Sequence, residues 1–256
     1  MAVPIISGIC HVLDEDRDLA ESVPLARRGQ AAQECIARVV SMPVGGWQND
    51  REEVFTDGVG LLLLGGLLIR RVGIDSRFGA ELLGEGDLMR PYGAPPSTLQ
   101  VTTGWRVLEP ARVAVLDEAF AARVTRHPEL IGGLVARALQ RSRNMSVTTA
   151  IVHHARVDVR LHMLLWQLAA RWGRVRSDGV SLPLRLTHNV LADLAAASRP
   201  TVTSALSELA RRGLVEAVDG GWLLHGDPPG ELRELAPLPQ GLTAKPTADG
   251  RRREAI

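Results

Sequence analysis

The stretch LTHNVLADLAAASRPTVTSALSELARRGLVE, Leu186 to Glu216, decides the fold of the C-terminal part of the chain. A short helix is predicted after Thr187, which is a good N-cap, and Ser198 is placed to cap a second helix beyond a tight turn. Pro200 lies in the first turn of that helix, where proline costs least, and Gly213 suits the position just after its end. The stretch therefore predicts two helices joined by a turn.

The second predicted helix has an apolar face and a polar face. Val202, Leu206 and Leu209 recur at helical spacing on the apolar side. The segments 214–218 and 222–224, separated by a glycine-containing turn, predict a hairpin. This order of elements is typical of a winged helix-turn-helix, whose second helix fits the major groove of DNA. The polar face consists of Arg199, Thr201, Thr203, Ser204 and Ser207.

The distribution of charged residues favours contact with nucleic acid only in the C-terminal part of the chain. Between Arg171 and Gly213 there are seven arginines and three acidic residues, whereas the whole chain has a net charge of +1. A local basic patch can contact phosphates, while the overall balance argues against a polybasic coating protein. The alternative is a helical hairpin that serves only as core or interface.

A long helix is predicted upstream, opening at Pro128. Its apolar stripe either packs against its own domain or pairs with the same helix of a second copy. A further helix is predicted from Val159 to Trp172. The stripe consists of Ile131, Val135, Ala138, Ser142, Met145, Thr149 and Val152, flanked by Leu134 and Leu139.

Short glycine-punctuated segments upstream of residue 117 predict an antiparallel β-roll. Gly65-Gly66 is interpreted as a hairpin turn and Gly84–Asp87 as another turn. The stretches 14–23 and 31–40 are predicted to be helical and to pack around the roll. The predicted strands are Val59–Leu64, Leu67–Val72, Ala80–Leu83, Leu99–Thr103 and Arg112–Leu116.

Composition excludes several classes of protein. The chain has 256 residues, of which 45% are apolar and 23% charged, as in an ordinary soluble protein. Cys10 and Cys35 form neither a disulfide framework nor a zinc or iron–sulfur pattern. The N-terminus shows no signal peptide, and the longest apolar run, 58–69, is too short to span a bilayer. We therefore expect a cytoplasmic protein without a membrane partner.

One cluster is a candidate for metal binding. His154, Asp158 and His162 are spaced by four, so one helix face would present them together, next to His153. Asp158 also suits the N-cap of the following helix, and structural histidines are the competing interpretation. The sequence offers no paired nucleophile and base and no phosphate loop. We expect no metal, no cofactor and no enzymatic activity.

The stretch 186–216 resembles the DNA-binding motif of the CRP/FNR transcription regulators. The segments LLGEGDLMRP (82–91) and WRVLEPARVAVLDEAFAARVTRHPEL (105–130) are similar to that family's roll and to the entry of its dimer helix. The resemblance covers residues 14–225 and is most specific at the C-terminal end. The matching positions there are Thr187, Leu191, Ala192, Ser198, Arg199, Thr201, Val202, Leu206, Leu209, Gly213 and Leu214.

The resemblance implies a DNA-reading helix and a set of partners. Arg199 would contact a guanine, whereas Pro200 and Ser204 differ from the family's best-known reading pattern and leave the operator sequence open. The implied partners are double-stranded DNA, a second copy of the chain, a small-molecule effector and, as a further candidate, RNA polymerase. The expected DNA-binding residues are Thr187, Ser198, Arg199, Thr201, Thr203, Ser204, Arg211 and Arg212.

The predicted β-roll differs from the corresponding part of the family members that bind cyclic AMP. Their cassette has a Gly-Glu turn and an arginine before Ser-Ala or Thr-Ala, whereas residues 89–99 contain neither feature. A buried cyclic phosphate would lack a cationic partner, so we expect no binding of cyclic AMP. Glu85, Asp87 and Arg90 form the candidate effector pocket, although Arg90 also fits a solvated surface position.

The sequence thus predicts an α+β chain with an antiparallel β-roll, a long dimerisation helix and a winged helix. The predicted boundaries are 1–126 for the roll, 127–157 for the helix, 158–226 for the reader and 227–256 for a flexible tail. The expected function is sequence-specific, dimeric DNA binding in transcription regulation. The alternative is a ligand- or metal-binding module, or a redox or gas sensor, whose winged helix contacts protein.

Overall fold

The computed structural model describes residues 3–48, 58–74, 77–91 and 101–235. The chain divides into two compact units, Met1–Thr148 and Thr149–Ile256. In the first unit the strands are β1 (Ile5–His11), β2 (Ile36–Met42), β3 (Gly45–Trp47), β4 (Gly58–Ile74), β5 (Arg77–Leu83), β6 (Leu88–Met89) and β7 (Thr102–Asp117). Its helices are α1 (Val12–Glu15), α2 (Arg17–Glu21), α3 (Leu25–Glu34) and α4 (Glu118–Val124), and α5 (Pro128–Val152) begins in it.

The first unit is built on one antiparallel sheet. Its strand order is β1-β2-β7-β4-β5, with β3 added to β7 and β6 to β4. One core cluster, which includes Leu62, Leu116 and Phe120, lies between this sheet and the helices. A second cluster, which includes Leu68 and Trp105, fills the roll. The predicted antiparallel β architecture is confirmed.

The hairpin predicted at Gly65-Gly66 is wrong. Strand β4 runs without a turn from Gly58 to Ile74, and its pairing with β7 shifts register around both glycines. A Cβ at Gly66 would come within 2.4 Å of the Pro110 carbonyl oxygen, and the backbone there has φ +91°. The register shifts mark a bulge at the glycine pair, and Gly66 permits the close strand approach, which a local sequence pattern does not distinguish from a turn.

Two predicted helical boundaries also differ from the structure. The stretch 31–40 was expected to be helical, but α3 ends at Glu34 and β2 takes the β-branched residues that follow. Helix α6 (Val157–Trp172) begins before the predicted residue 159, with Arg156 as its N-cap. Asp158, expected as the N-cap, lies in its first turn instead.

The second unit combines helices with a small four-stranded sheet. After α6 come β8 (Arg174–Arg176), β9 (Gly179–Leu182), α7 (His188–Ala195), α8 (Arg199–Arg211), β10 (Val215–Val218), β11 (Gly221–Leu224) and α9 (Gly230–Leu235). The sheet order is β10-β11-β9-β8, so the predicted hairpin forms its β10–β11 edge. The predicted flexible tail is wrong over α9, and residues 236–256 lie outside the described chain.

Helix α5 begins at Pro128, as predicted, and has one buried face and one exposed face. Leu130 and Leu134 are buried in the first unit. The predicted stripe lies on another side, where Ile131, Val135 and Met145 are 40%, 52% and 40% exposed. Over the described ranges, no helix combines the length and hydropathy that crossing a bilayer requires.

Candidate nucleic-acid interface

Helix α8 buries one face and exposes the other. Its apolar side chains pack against α6 and α7, with Val202 fully buried and Leu209 1% exposed. This amphipathic division follows from helical spacing and was correctly predicted. The exposed side carries Arg199, Thr201, Thr203, Ser204 and Ser207.

A side-chain cap begins each of the helices α7 and α8, and a left-handed residue ends α7 at the turn between them. Thr187 Oγ1 accepts a hydrogen bond from the Val190 amide at 3.3 Å, and Ser198 Oγ accepts one from the Thr201 amide at 3.4 Å. Both N-caps are confirmed. Helix α7 ends at Ala196, which has φ +48°. The Ser198 cap holds the first turn of α8 in place, which presents the polar residues of α8 on a fixed backbone.

Hydroxyl groups on α8 are held by the helix backbone and by one neighbour. Thr203 Oγ1 donates to the Arg199 carbonyl at 3.1 Å, and Ser204 Oγ donates to the Pro200 carbonyl at 3.2 Å. His188 Nδ1 lies 2.9 Å from Thr203 Oγ1. The sequence reasoning missed His188, although its place directly after the N-cap of α7 marked it as a surface position.

The predicted basic residues divide into paired and unpaired groups. Arg211 Nη2 lies 2.7 Å from Glu208 Oε1, and this hydrogen-bonded contact lowers the pKa of Glu208. Arg212 Nη1 lies 3.7 Å from Asp158 Oδ2. Arg174, Arg185 and Arg199, by contrast, have no ion-pair partner in the part of the chain that the structure describes. These three guanidinium groups are exposed and can contact an external anion.

Arg160 connects two distant points of the second unit. Its Nη1 donates to the carbonyl oxygens of Ala195 and Ala196, at 3.1 and 3.4 Å, at the C-terminus of α7. Its Nε donates to the carbonyl of His154, in the connection that precedes α6. Helix C-termini leave carbonyls without intrahelical partners, and a cation is well suited to them. No sequence pattern singled out this arginine.

The histidine cluster does not form a metal site. Asp158 is engaged by Arg156, whose Nη2 lies 2.6 Å from Asp158 Oδ2. His162 Nε2 accepts a hydrogen bond from Trp166 Nε1 at 3.0 Å. Across the described ranges, no group of three or more His, Cys, Asp or Glu side chains is placed to hold a metal ion.

The candidate effector residues occupy a turn with defined roles. Asp87 is 9% exposed, and its Oδ2 accepts the Gly84 amide at 2.8 Å, which closes the turn. Glu85 and Arg90 are exposed. Arg137 of α5 donates to the Gly86 carbonyl at 3.0 Å. The remainder of the cassette region, residues 92–99, lies outside the described residues.

Comparison with known proteins agrees with this geometry. Residues 159–230 match the model of the Crp-like helix-turn-helix domain. A "CRP-like cAMP-activated global transcriptional regulator" of Mycobacterium tuberculosis is 28% identical over 148 residues, which cover 58% of this chain and 63% of that protein. Residues 159–230 thus resemble a Crp-like helix-turn-helix domain, and the mycobacterial relative matches only part of the chain. Less than two thirds of the length of this curated relative is therefore matched.

Solved structures share the fold of this chain at low sequence identity. FixK2 from Bradyrhizobium japonicum gives a TM-score of 0.56 at 14% identity, covering 82% of this chain and 98% of its own. A cyclic nucleotide-binding domain containing protein from Listeria monocytogenes gives 0.57 at 13% identity, with 72% and 87% covered. At these identities the similarities concern the fold alone.

Proposed function

We propose that the protein is a homodimeric, sequence-specific DNA-binding transcription regulator, and that α8 enters the major groove. The observation that carries this proposal is the exposed polar face of α8, whose first turn the Ser198 cap holds and whose Arg199 is unpaired among the described residues. A recognition helix needs side chains that reach base edges from a fixed backbone. The match to the Crp-like helix-turn-helix domain supports the same assignment.

Each residue of the exposed face has a role in this proposal. Arg199 donates a bidentate pair of hydrogen bonds to guanine, a contact worth about 1–3 kcal/mol of discrimination. Thr201, Thr203 and Ser204 contact base edges or phosphates. Arg174 and Arg185, which have no ion partner within the described residues, add phosphate contacts that set the affinity without reading sequence.

The dimer is formed by the exposed stripe of α5. Ile131, Val135, Leu139 and Met145 are between 40% and 56% exposed, which is unfavourable for large apolar side chains unless a partner covers them. Pairing of two such helices brings two recognition helices to successive major grooves, about 34 Å apart. The operator is accordingly near-palindromic.

The effector of this protein differs from cyclic AMP. The matched mycobacterial relative is named as cAMP-activated, but residues 89–99 here contain neither a Gly-Glu pair nor an arginine before Ser97-Thr98. A buried phosphate without a cationic partner is costly. Calorimetric titration with cyclic AMP is expected to show no binding, and affinity in the micromolar range would contradict this part of the proposal.

Selection of genomic fragments with the purified protein, followed by titration at several salt concentrations, tests the DNA-binding function. Arg199→Ala is expected to weaken binding to the selected operator by roughly 5- to 150-fold and to relax preference at one guanine. Arg126→Ala is the matched control, since it removes one exposed arginine from the first unit. Unchanged affinity and base preference in Arg199→Ala would contradict the proposal.

A further inference from the structure

Strand β1 lies at an edge of the sheet in the first unit. It pairs antiparallel with β2 on one side and is the end strand of the order β1-β2-β7-β4-β5. Two side-chain hydrogen bonds hold it there, since Ser7 Oγ donates to the Val39 carbonyl at 3.3 Å and Ser41 Oγ donates to Ser7 Oγ at 3.0 Å. The other edge of β1 has no strand beside it in the described ranges, so its backbone donors and acceptors remain available for pairing.

The exposed side chains of β1 include three large apolar ones. Ile5, Ile6 and Ile9 are 62%, 57% and 73% exposed, and the residues between them are exposed as well. Because successive side chains of a strand point to opposite faces, the exposure of both Ile5 and Ile6 shows that neither face of this part of β1 is covered. Val3, which precedes the strand, is 46% exposed. These four residues are called the β1 surface, and adjoining apolar side chains of this kind mark a site of interaction.

Natural edge strands are commonly protected against pairing by charged side chains, and β1 lacks this protection. Residues 1–11 contain no Asp, Glu, Lys or Arg, although 23% of the whole chain is charged. A bulge between Ile6 and Gly8 is present, and bulges also limit pairing. Ile9, the most exposed side chain of the β1 surface, lies beyond that bulge. The part of β1 that follows the bulge therefore keeps an open, uncharged edge.

Charged side chains on the strands next to β1 are neutralised within the same chain. Arg38 pairs with Ile9 across β1 and β2, and its Nε lies 3.7 Å from Asp117 Oδ2. Arg112 of β7 donates two hydrogen bonds to the Glu15 carboxylate, at 3.1 and 2.9 Å. Each of these pairs carries no net charge, so neither attracts an acidic or a basic partner. The partner that matches the β1 surface is accordingly a neutral, apolar strand.

A second copy of β1 has the required chemistry. A strand that lies antiparallel to its own copy is related to it by a twofold axis, so both strands use the same residues and cover the same apolar surface. No like charges face each other in such a pair, because the strand has none. A strand of seven residues presents a surface of about 23 Å by 10 Å, well below the roughly 800 Å² per partner of a stable interface. We therefore expect reversible pairing between chains that are already joined to another copy elsewhere.

We propose that β1 pairs antiparallel with β1 of a second copy and thereby joins two α5-paired dimers into a tetramer. The β1 surface and the exposed stripe of α5 share no residue, so one chain can use both. Arg141 of α5 is hydrogen-bonded to Glu81 of β5, the strand at the other end of the sheet order. A tetramer carries four α8 helices and can occupy two operators at once. That consequence rests on the proposed function, whereas the strand pairing itself requires no DNA.

Analytical ultracentrifugation of the full-length protein over a range of concentrations tests the strand pairing. The wild-type protein is expected to show a reversible equilibrium between dimer and tetramer. Ile9→Arg is expected to weaken the tetramer at least about tenfold and to leave the dimer intact, because the paired strands would then carry like charges. Leu25→Arg is the matched control, since it introduces the same charge at an 80% exposed apolar position on α3 and should leave the tetramer unchanged. A wild-type protein that stays dimeric at every concentration would assign the edge of β1 to a different partner and overturn the proposal.

Further variants distinguish the β1 surface from the stripe of α5. Leu139→Glu, in the stripe, is expected to weaken the dimer, whereas Ile9→Arg weakens only the association of dimers. Ile5→Arg, at a 62% exposed position, is the second substitution in β1 in case the Ile9→Arg protein does not fold. Circular dichroism verifies the fold of each variant. A folded Ile9→Arg or Ile5→Arg protein that forms the tetramer as tightly as the wild type would refute the assignment to β1.

The outcome is separable from that of the DNA-binding test. A tetramer that dissociates in the Ile9→Arg protein but binds no genomic fragment would leave the strand pairing standing and refute the proposed function. Operator binding by a wild-type protein that stays dimeric would do the reverse. Cooperative binding to a DNA fragment with two operators, reduced in Ile9→Arg and unchanged in Leu25→Arg, would connect the two.

Discussion

His162 is the most buried histidine of the second unit, at 9% exposure, and its environment favours the neutral ring. Burial lowers its pKa, and Arg212 acts in the same direction, whereas Glu231 and Asp158 act in the opposite direction. Trp166 Nε1 donates to Nε2, so the proton of the neutral ring is on Nδ1. Protonation would remove the acceptor that Trp166 uses.

The second unit is therefore expected to become less stable as the pH is lowered. The unfolded chain takes up a proton near its ordinary pKa of about 6.5, while the folded chain does so only at lower pH. The contribution of the neutral His162 ring to the free energy of unfolding is fully present above the unfolded pKa. It is lost as the pH falls toward the lower pKa of the folded chain. His162→Gln keeps an acceptor for Trp166 and should flatten this dependence in urea unfolding followed by circular dichroism.

The exposed His153 supplies the comparison for that experiment. His153→Gln should leave the pH dependence of unfolding as in the unaltered protein. An equal pH profile for His162→Gln and wild type would show that another group governs the acid sensitivity of this unit.

At the scale of elements, Gly66 allows strand β4 to continue beside β7 without a turn. Gly66→Ala is expected to destabilise the first unit by about 1–3 kcal/mol or more, because alanine is strained at φ +91° and its Cβ meets the Pro110 carbonyl. Gly65→Ala is the control, since a Cβ there meets nothing within 4 Å. Denaturant unfolding of both variants measures the difference, and equal midpoints would refute the bulge interpretation.

The two units differed in how far the sequence predicted them. The caps Thr187 and Ser198 and the turn residue Gly213 act on neighbouring residues, so local patterns located the helices α7 and α8 and the end of α8. The bulge at Gly66 depends on β7, more than 40 residues away, and no local pattern distinguishes it from a turn.

The same reasoning applies to the candidate sites. The exposed face of α8 followed from helical periodicity alone. Arg160, by contrast, contacts the carbonyl of Ala195, 35 residues further along the chain, as well as that of His154. Contacts over such a distance leave no local sequence pattern, which is why this arginine was not selected.

For the whole molecule, the exposed stripe of α5 determines the expected assembly. Leu139→Glu, which places a charge in the stripe where Leu139 is 56% exposed, should weaken dimerisation at least about tenfold, because a buried unpaired charge is costly. Gln140→Glu introduces the same charge at the adjacent position, where Gln140 hydrogen-bonds Asn144 at 3.1 Å. Analytical ultracentrifugation measures both, and a monomeric wild-type protein would contradict the proposed dimer.

Arg160 has a mechanical consequence for the second unit. One planar guanidinium holds the carbonyl of His154 and the carbonyls of Ala195 and Ala196, groups that are about forty residues apart in sequence. A rigid fork cannot follow two anchors that move independently. We therefore expect a displacement of the chain ahead of α6 either to move the bend between α7 and α8 with it or to break these hydrogen bonds.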